Sequence, residues 1–86
     1  MLSMPSDNER EIELKVCDIL SSTFGIERGL ISSTTDAGDI PGWDSLGHMS
    51  LVTNLETQFD VRFPVYALSR LTSVDAIVRE LMGLLA

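Results

Sequence analysis

The stretch Asp44-Ser45-Leu46-Gly47-His48-Met49-Ser50-Leu51-Val52-Thr53-Asn54-Leu55-Glu56-Thr57-Gln58-Phe59-Asp60 decides the fold. Asp44 is a good N-cap, because its carboxylate can accept from the first free amides of a helix. Leu46, Leu51, Val52, Leu55 and Phe59 then recur at helical spacing, and the helix is expected to end near Asp60. On a wheel of 100° per residue, Leu51, Val52, Leu55 and Phe59 cluster on one side. Leu46 and Met49 point well away from that side, so two apolar side chains are expected to be partly exposed within a turn of Ser45. Exposed apolar residues beside a polar group suggest a docking surface.

Toward the N-terminus, Ser6 and Glu9 have the form of a capping box that opens a first helix. Ile12, Val16, Ile19 and Leu20 make its core face, with Leu14 and Cys17 widening the stripe, until Ser21-Ser22-Thr23 and Gly25 end it. From Gly25 to Asp44 the pattern is broken by Gly29, Gly38, Pro41 and Gly42. So long a connection needs tacking to the core, and Leu30, Ile31 and Ile40 are its apolar candidates, with a helical turn allowed near Leu30. Beyond the central helix, Pro64 precedes a short apolar segment, Val65 to Leu68. Thr72 or Ser73 then caps a last helix with the face Val74, Ile77, Val78, Leu81 and Leu85. The expectation is an all-α fold, a small four-helix bundle of three longer helices plus one short helix, with a long first loop. There is no repeat, and Val61-Arg62-Phe63 is too short to read as a strand.

Eighty-six residues suffice for one domain with one core, spanning 1–86 with residues 1–5 expected to be disordered. Met1 and the end just beyond Leu85 favour a free-standing protein. Six Lys and Arg against thirteen Asp and Glu give a formal charge of −7, which repels nucleic acid. Apolar runs fall short of a membrane span, and the first ten residues lack a signal peptide's pattern. A cytoplasmic protein, monomeric and independent of nucleic acid and membrane, is expected. The single cysteine, Cys17, reads as a small buried hydrophobe.

Ser45 lies in a first turn, where free amides and the helix dipole stabilise an anion such as a phosphate ester. A serine there also serves merely to start a helix, and local features leave both readings open. Asp44, Ser45 and His48 are the residue types of a hydrolytic triad, but a nucleophile elbow needs glycine two residues before the serine, where Trp43 stands. The wheel turns His48 toward Leu55 and Phe59, to line the core or the mouth of a small pocket. No second histidine or cysteine is spaced to share a metal with it. Trp43 either contacts a partner or packs the loop end against the bundle.

The segment from Gly42 to Met49, centred on Asp44-Ser45-Leu46, resembles the phosphopantetheine attachment segment of the acyl carrier protein family. Leu51-Val52, Leu55-Glu56, Phe59-Asp60, Phe63-Pro64 and Leu71-Thr72-Ser73-Val74 continue the likeness. It implies a bundle of acyl-carrier type and a non-catalytic carrier. Ser45 would receive a covalent 4'-phosphopantetheine from a phosphopantetheinyl transferase using coenzyme A, with Asp44 and Leu46 flanking the group. The arm would hold an acyl or aminoacyl cargo as a thioester. The implied partners are that transferase, an acyl- or aminoacyl-loading ligase and downstream transferases, met through Trp43, Leu46, Met49, Thr53 and Glu56. Gly47, Ser50, Thr57 and Gln58 stand where several fatty-acid carriers have Asp or Glu, which argues for a specialised biosynthetic pathway. The alternatives are an amino-acid carrier loaded by a dedicated ATP-dependent ligase, a helical interaction domain that is never modified, and a stand-alone hydrolase.

Overall fold

A computed structural model describes residues 7–85. Three long helices, α1 (Asp7–Phe24), α2 (Ser45–Phe59) and α3 (Val74–Leu85), are joined by short 3-10 segments at Arg28–Leu30, Ala37–Asp39 and Val65–Arg70. The fold is all-α, as expected, and its short fourth helix is Val65–Arg70, a 3-10 helix. Ser6 of the anticipated capping box and residues 1–5 lie outside the described residues.

α1 packs against both α2 and α3. Val16, Leu20, Leu51, Leu55, Leu71, Val74, Ile77 and Leu81 meet between them and are fully buried. Each such Leu or Ile stabilises the fold by roughly 1.5–3 kcal/mol through area removed from water. Cys17 is buried among them, and desolvation pushes its thiol above the ordinary value of 9.0, with a smaller opposing pull from Arg28. Two residues expected on the core faces of the helices are exposed instead. Leu14 stands two residues from Ile12, about 200° round the helix, and so faces water. In α3 the fully buried stripe stops at Leu81, leaving Leu85 in the last turn open to solvent.

The helix ends follow the sequence closely. Gly25, at φ 65°, lets the chain leave α1 in a left-handed conformation. Asp44 Oδ1 accepts from Gly47 N–H at 3.0 Å, and Asp60 closes α2 at φ 53°. Lys15 Nζ donates to the Gln58 carbonyl at 3.0 Å, setting a cation at the negative end of α2. Of the two candidate caps for α3 it is Ser73 whose Oγ accepts, from Ala76 N–H at 3.1 Å.

The long loop is pinned more firmly than its composition suggests. Asp36 and Asp39 form a capping box, and Asp36 pairs with Ser73 in an isolated antiparallel bridge. Ala37 N–H donates to Thr72 O at 2.8 Å and Val74 N–H to Thr35 O at 2.9 Å, tying the loop to the start of α3. Ile31 and Ile40 are buried as expected, whereas Leu30 is 72% exposed. The turn at Arg28–Leu30 throws Leu30 outward and returns Ile31 inward in extended geometry, while Arg28 is held by Asp18 at 2.8 Å.

Candidate functional site

Ser45 is the first residue of α2 and its side chain is exposed. The first intrahelical bond runs from His48 N–H to the Asp44 carbonyl at 2.7 Å, and Asp44 Oδ1 takes the Gly47 amide. The amides ahead of these belong to the open end of the helix, where an anion is favoured. Asp44 therefore acts first on the helix and through it on the placement of the Ser45 hydroxyl.

An open recess of about 470 Å³ begins at this hydroxyl, lined by Trp43, Ser45, His48 and Met49 on one bank and by Ala37, Ser69 and Thr72 on the other, with Asp44 at its rim. Its mixed apolar and hydroxyl lining suits a slender, uncharged chain leading away from Ser45. Ala37, Ser69 and Thr72 were invisible to sequence reasoning, because the connections before and after α2 converge here and no spacing records that.

His48 is the keystone of the near bank. Trp43 Nε1–H donates to His48 Nδ1 at 2.9 Å, and His48 Nε2 lies 2.8 Å from the Leu68 carbonyl. An accepting Nδ1 and a carbonyl partner at the other nitrogen assign a neutral ring protonated at Nε2. Both nitrogens are thus engaged, and neither is left to take the proton of Ser45, so the hydrolytic triad fails on geometry. Lining the pocket mouth, the alternative role for His48, is where the structure puts it. Among the described residues no group of three His, Cys, Asp or Glu side chains could hold a metal.

The expected partner residues separate into two kinds. Leu46 is 84% exposed and Met49 53% exposed, on the outward side the wheel assigned them. Thr53 is exposed too, its hydroxyl donating to Met49 O at 3.0 Å. Trp43 is 8% exposed, stacked on Phe24 with ring centroids 5.7 Å apart and on His48 at 6.4 Å. Its indole packs the loop end against the bundle and also lines the recess. Glu56 is half-buried, and its Oε2 accepts from Phe63 N–H at 2.8 Å, which fixes the turn after α2.

Gly47 acquires a role that composition did not suggest. A Cβ there would overlap the Gly42 carbonyl oxygen and stand 2.8 Å from Phe24 Cε1. Gly42, at φ 90°, brings the loop backbone directly onto the first turn of α2. No acidic side chain could occupy position 47, so its absence there is steric. The only sequence signal was a pair of glycines five apart across a helix start.

The family described as "Phosphopantetheine attachment site" matches residues 14–81. An acyl carrier protein of Prochlorococcus marinus (strain MIT 9515) is 33% identical over 72 residues, covering 84% of this chain and 90% of that protein. One from Chlorobium phaeobacteroides (strain DSM 266 / SMG 266 / 2430) is 31% identical over 70 residues, 81% of this chain and 90% of that protein. A third, from Cyanidioschyzon merolae (strain NIES-3377 / 10D), is 34% identical over 70 residues, 81% of this chain and 77% of that protein.

Proposed function

We propose, because this chain belongs to the acyl carrier protein family and carries its phosphopantetheine attachment domain, that Ser45 bears the arm and that the protein presents an acyl or aminoacyl cargo to enzymes of a specialised biosynthetic pathway. One observation carries the assignment of the residue: Ser45 offers an exposed hydroxyl at the open end of α2, beside a recess that the loop, α2 and the 65–70 helix build together. In the transfer, the Ser45 Oγ–P bond forms as the pyrophosphate bond of coenzyme A breaks. The adenosine bisphosphate half leaves, and the hydroxyl proton passes to a base of the phosphopantetheinyl transferase. Once attached, the arm supplies a mobile thiol that carries a group as a thioester.

The chain's own residues orient and shelter. The α2 dipole favours the phosphodiester, Asp44 holds the first turn, and Trp43, His48 and Met49 offer a wall beside the thiol's path. A reducing, cytoplasm-like compartment belongs to this reading, because the thiol must stay free. Support for a specialised pathway lies in α2, whose positions Ser50, Thr57 and Gln58 are uncharged. An amino acid delivered by an ATP-dependent ligase is one form of this cargo.

Intact mass after incubation with coenzyme A, magnesium and a broad-specificity phosphopantetheinyl transferase tests the assignment. A gain of one phosphopantetheine in the wild type and none in folded Ser45→Ala is expected. No gain in either folded protein would replace the reading with that of an unmodified interaction domain, for which the exposure of Leu46 and Met49 supplies the motive.

A further inference from the structure

α2 carries one buried stripe, Leu51, Val52 and Leu55, and His48 heads it. Residues four and seven apart fall on one side of a helix. The imidazole therefore stands above Val52 and Leu55, half-buried, where the recess beside Ser45 meets the core. On the facing 65–70 segment, Ala67 and Leu71 flank Leu68 in sequence and are fully buried.

The ring is held from both sides. Trp43 Nε1–H donates to Nδ1 at 2.9 Å from the loop, and Nε2–H donates to the Leu68 carbonyl at 2.8 Å. Trp43 is itself clamped by its stacking on Phe24 of α1. His48 thus bars the way between α2 and the 65–70 helix, and turning it aside leaves an indole N–H and a carbonyl without their partners. Outside this bar the recess changes character. Ser69 and Thr72 line its far bank, both exposed, and neither hydroxyl makes a hydrogen bond among the described residues.

We propose that His48 closes the core of this carrier to its cargo: the acyl group stays in the open recess against Ser69 and Thr72, and the cargo is a short acyl group that bears its own hydroxyl or amino group. This deepens the reading of Ser45 as the attachment site and rests on it. An arm rooted at Ser45 and folded back along α2 meets the imidazole one turn on, with the core stripe behind it. A long aliphatic chain stopped there keeps its methylenes in water and gains nothing from burial. A hydroxyl or amino group finds hydrogen-bond partners in the two unengaged side chains.

The test loads the apo protein with acetyl, butyryl, hexanoyl, octanoyl and 3-hydroxybutyryl arms from the corresponding acyl-coenzyme A, using magnesium and a broad-specificity phosphopantetheinyl transferase, with intact mass confirming each product. Each loaded form is melted against the unacylated form of the same variant. Wild-type Tm is expected to stay within about 2 °C from acetyl to octanoyl. In His48→Ala it should climb by about 3–6 °C for each methylene that enters the gap, the effect of one buried methylene on a domain of this size. The stability that the substitution itself removes cancels in this comparison, so a merely structural His48 leaves the variant's series as flat as the wild type's. In amide NMR spectra of the wild type, Ser69 and Thr72 should shift more on loading with 3-hydroxybutyryl than with butyryl. A wild-type Tm that rises with chain length overturns the closure whether or not His48→Ala folds, and a flat series in folded His48→Ala removes His48 as its cause. Equal shifts for butyryl and 3-hydroxybutyryl overturn the cargo class. No mass gain from any acyl-coenzyme A, with the protein folded, instead sinks Ser45 as the attachment site.

Discussion

Gly47→Ala reverses the effect that helix propensity assigns to it. Alanine inside a helix is worth up to ~1 kcal/mol over glycine, so an exposed site would gain stability. Here the new Cβ overlaps the Gly42 carbonyl oxygen and crowds Phe24 Cε1 at 2.8 Å. Inserting a methyl into a packed contact costs about 1–3 kcal/mol, and the upper end applies because the obstruction is backbone rather than a swinging side-chain tip. The net expectation is a loss of ~2 kcal/mol. For a domain of this size that lowers Tm by roughly 8–16 °C. Gly83→Ala in α3 is the control, since its Cβ meets nothing within 4 Å, and it should be neutral or stabilising by up to ~1 kcal/mol. Thermal and urea melts followed by far-UV circular dichroism read both. A Gly47→Ala protein as stable as the Gly83→Ala one would refute the close approach of loop and helix.

Three other changes probe the supports of the site. His48→Ala strands the Trp43 indole N–H and the Leu68 carbonyl, a cost of about 2–3 kcal/mol, and should red-shift the emission of the single tryptophan; an unchanged spectrum and urea midpoint would discount the relay. Burial raises the Cys17 thiol above its unfolded value, so the folded state binds the proton more tightly. Stability present below about pH 9 should therefore fall as pH rises past the unfolded value, and Cys17→Ala should remove that part of the alkaline decline in melts across pH. Ile31→Ser should cost ~2–4 kcal/mol as a buried apolar residue is lost to a hydroxyl, whereas Leu30→Ser stays within about 0.5 kcal/mol; equal melts for the two would contradict the outward turn at Leu30.

Periodicity and caps determined the helices of this protein, because both are local: the stripe Leu51, Val52, Leu55 needs only the helical repeat, and Asp44 needs only amides three residues away. The same wheel placed Leu46 and Met49 outside and His48 within. Periodicity failed where a side chain's fate hangs on what lies opposite. Leu85 fits the stripe of its helix, yet the fully buried positions end at Leu81; Trp43 gained a stacking partner, Phe24, from a helix that sequence keeps apart from it. Glu56 looks like surface charge in the sequence and is a latch on Phe63 in the fold. The residue types around Ser45 were thus legible from the chain alone. The recess was not, since its far bank comes from positions 37, 69 and 72, brought to Ser45 by the Asp36–Ser73 bridge and the His48–Leu68 bond. Local geometry fixes which way a side chain leaves its helix, and only long-range packing decides what it then meets.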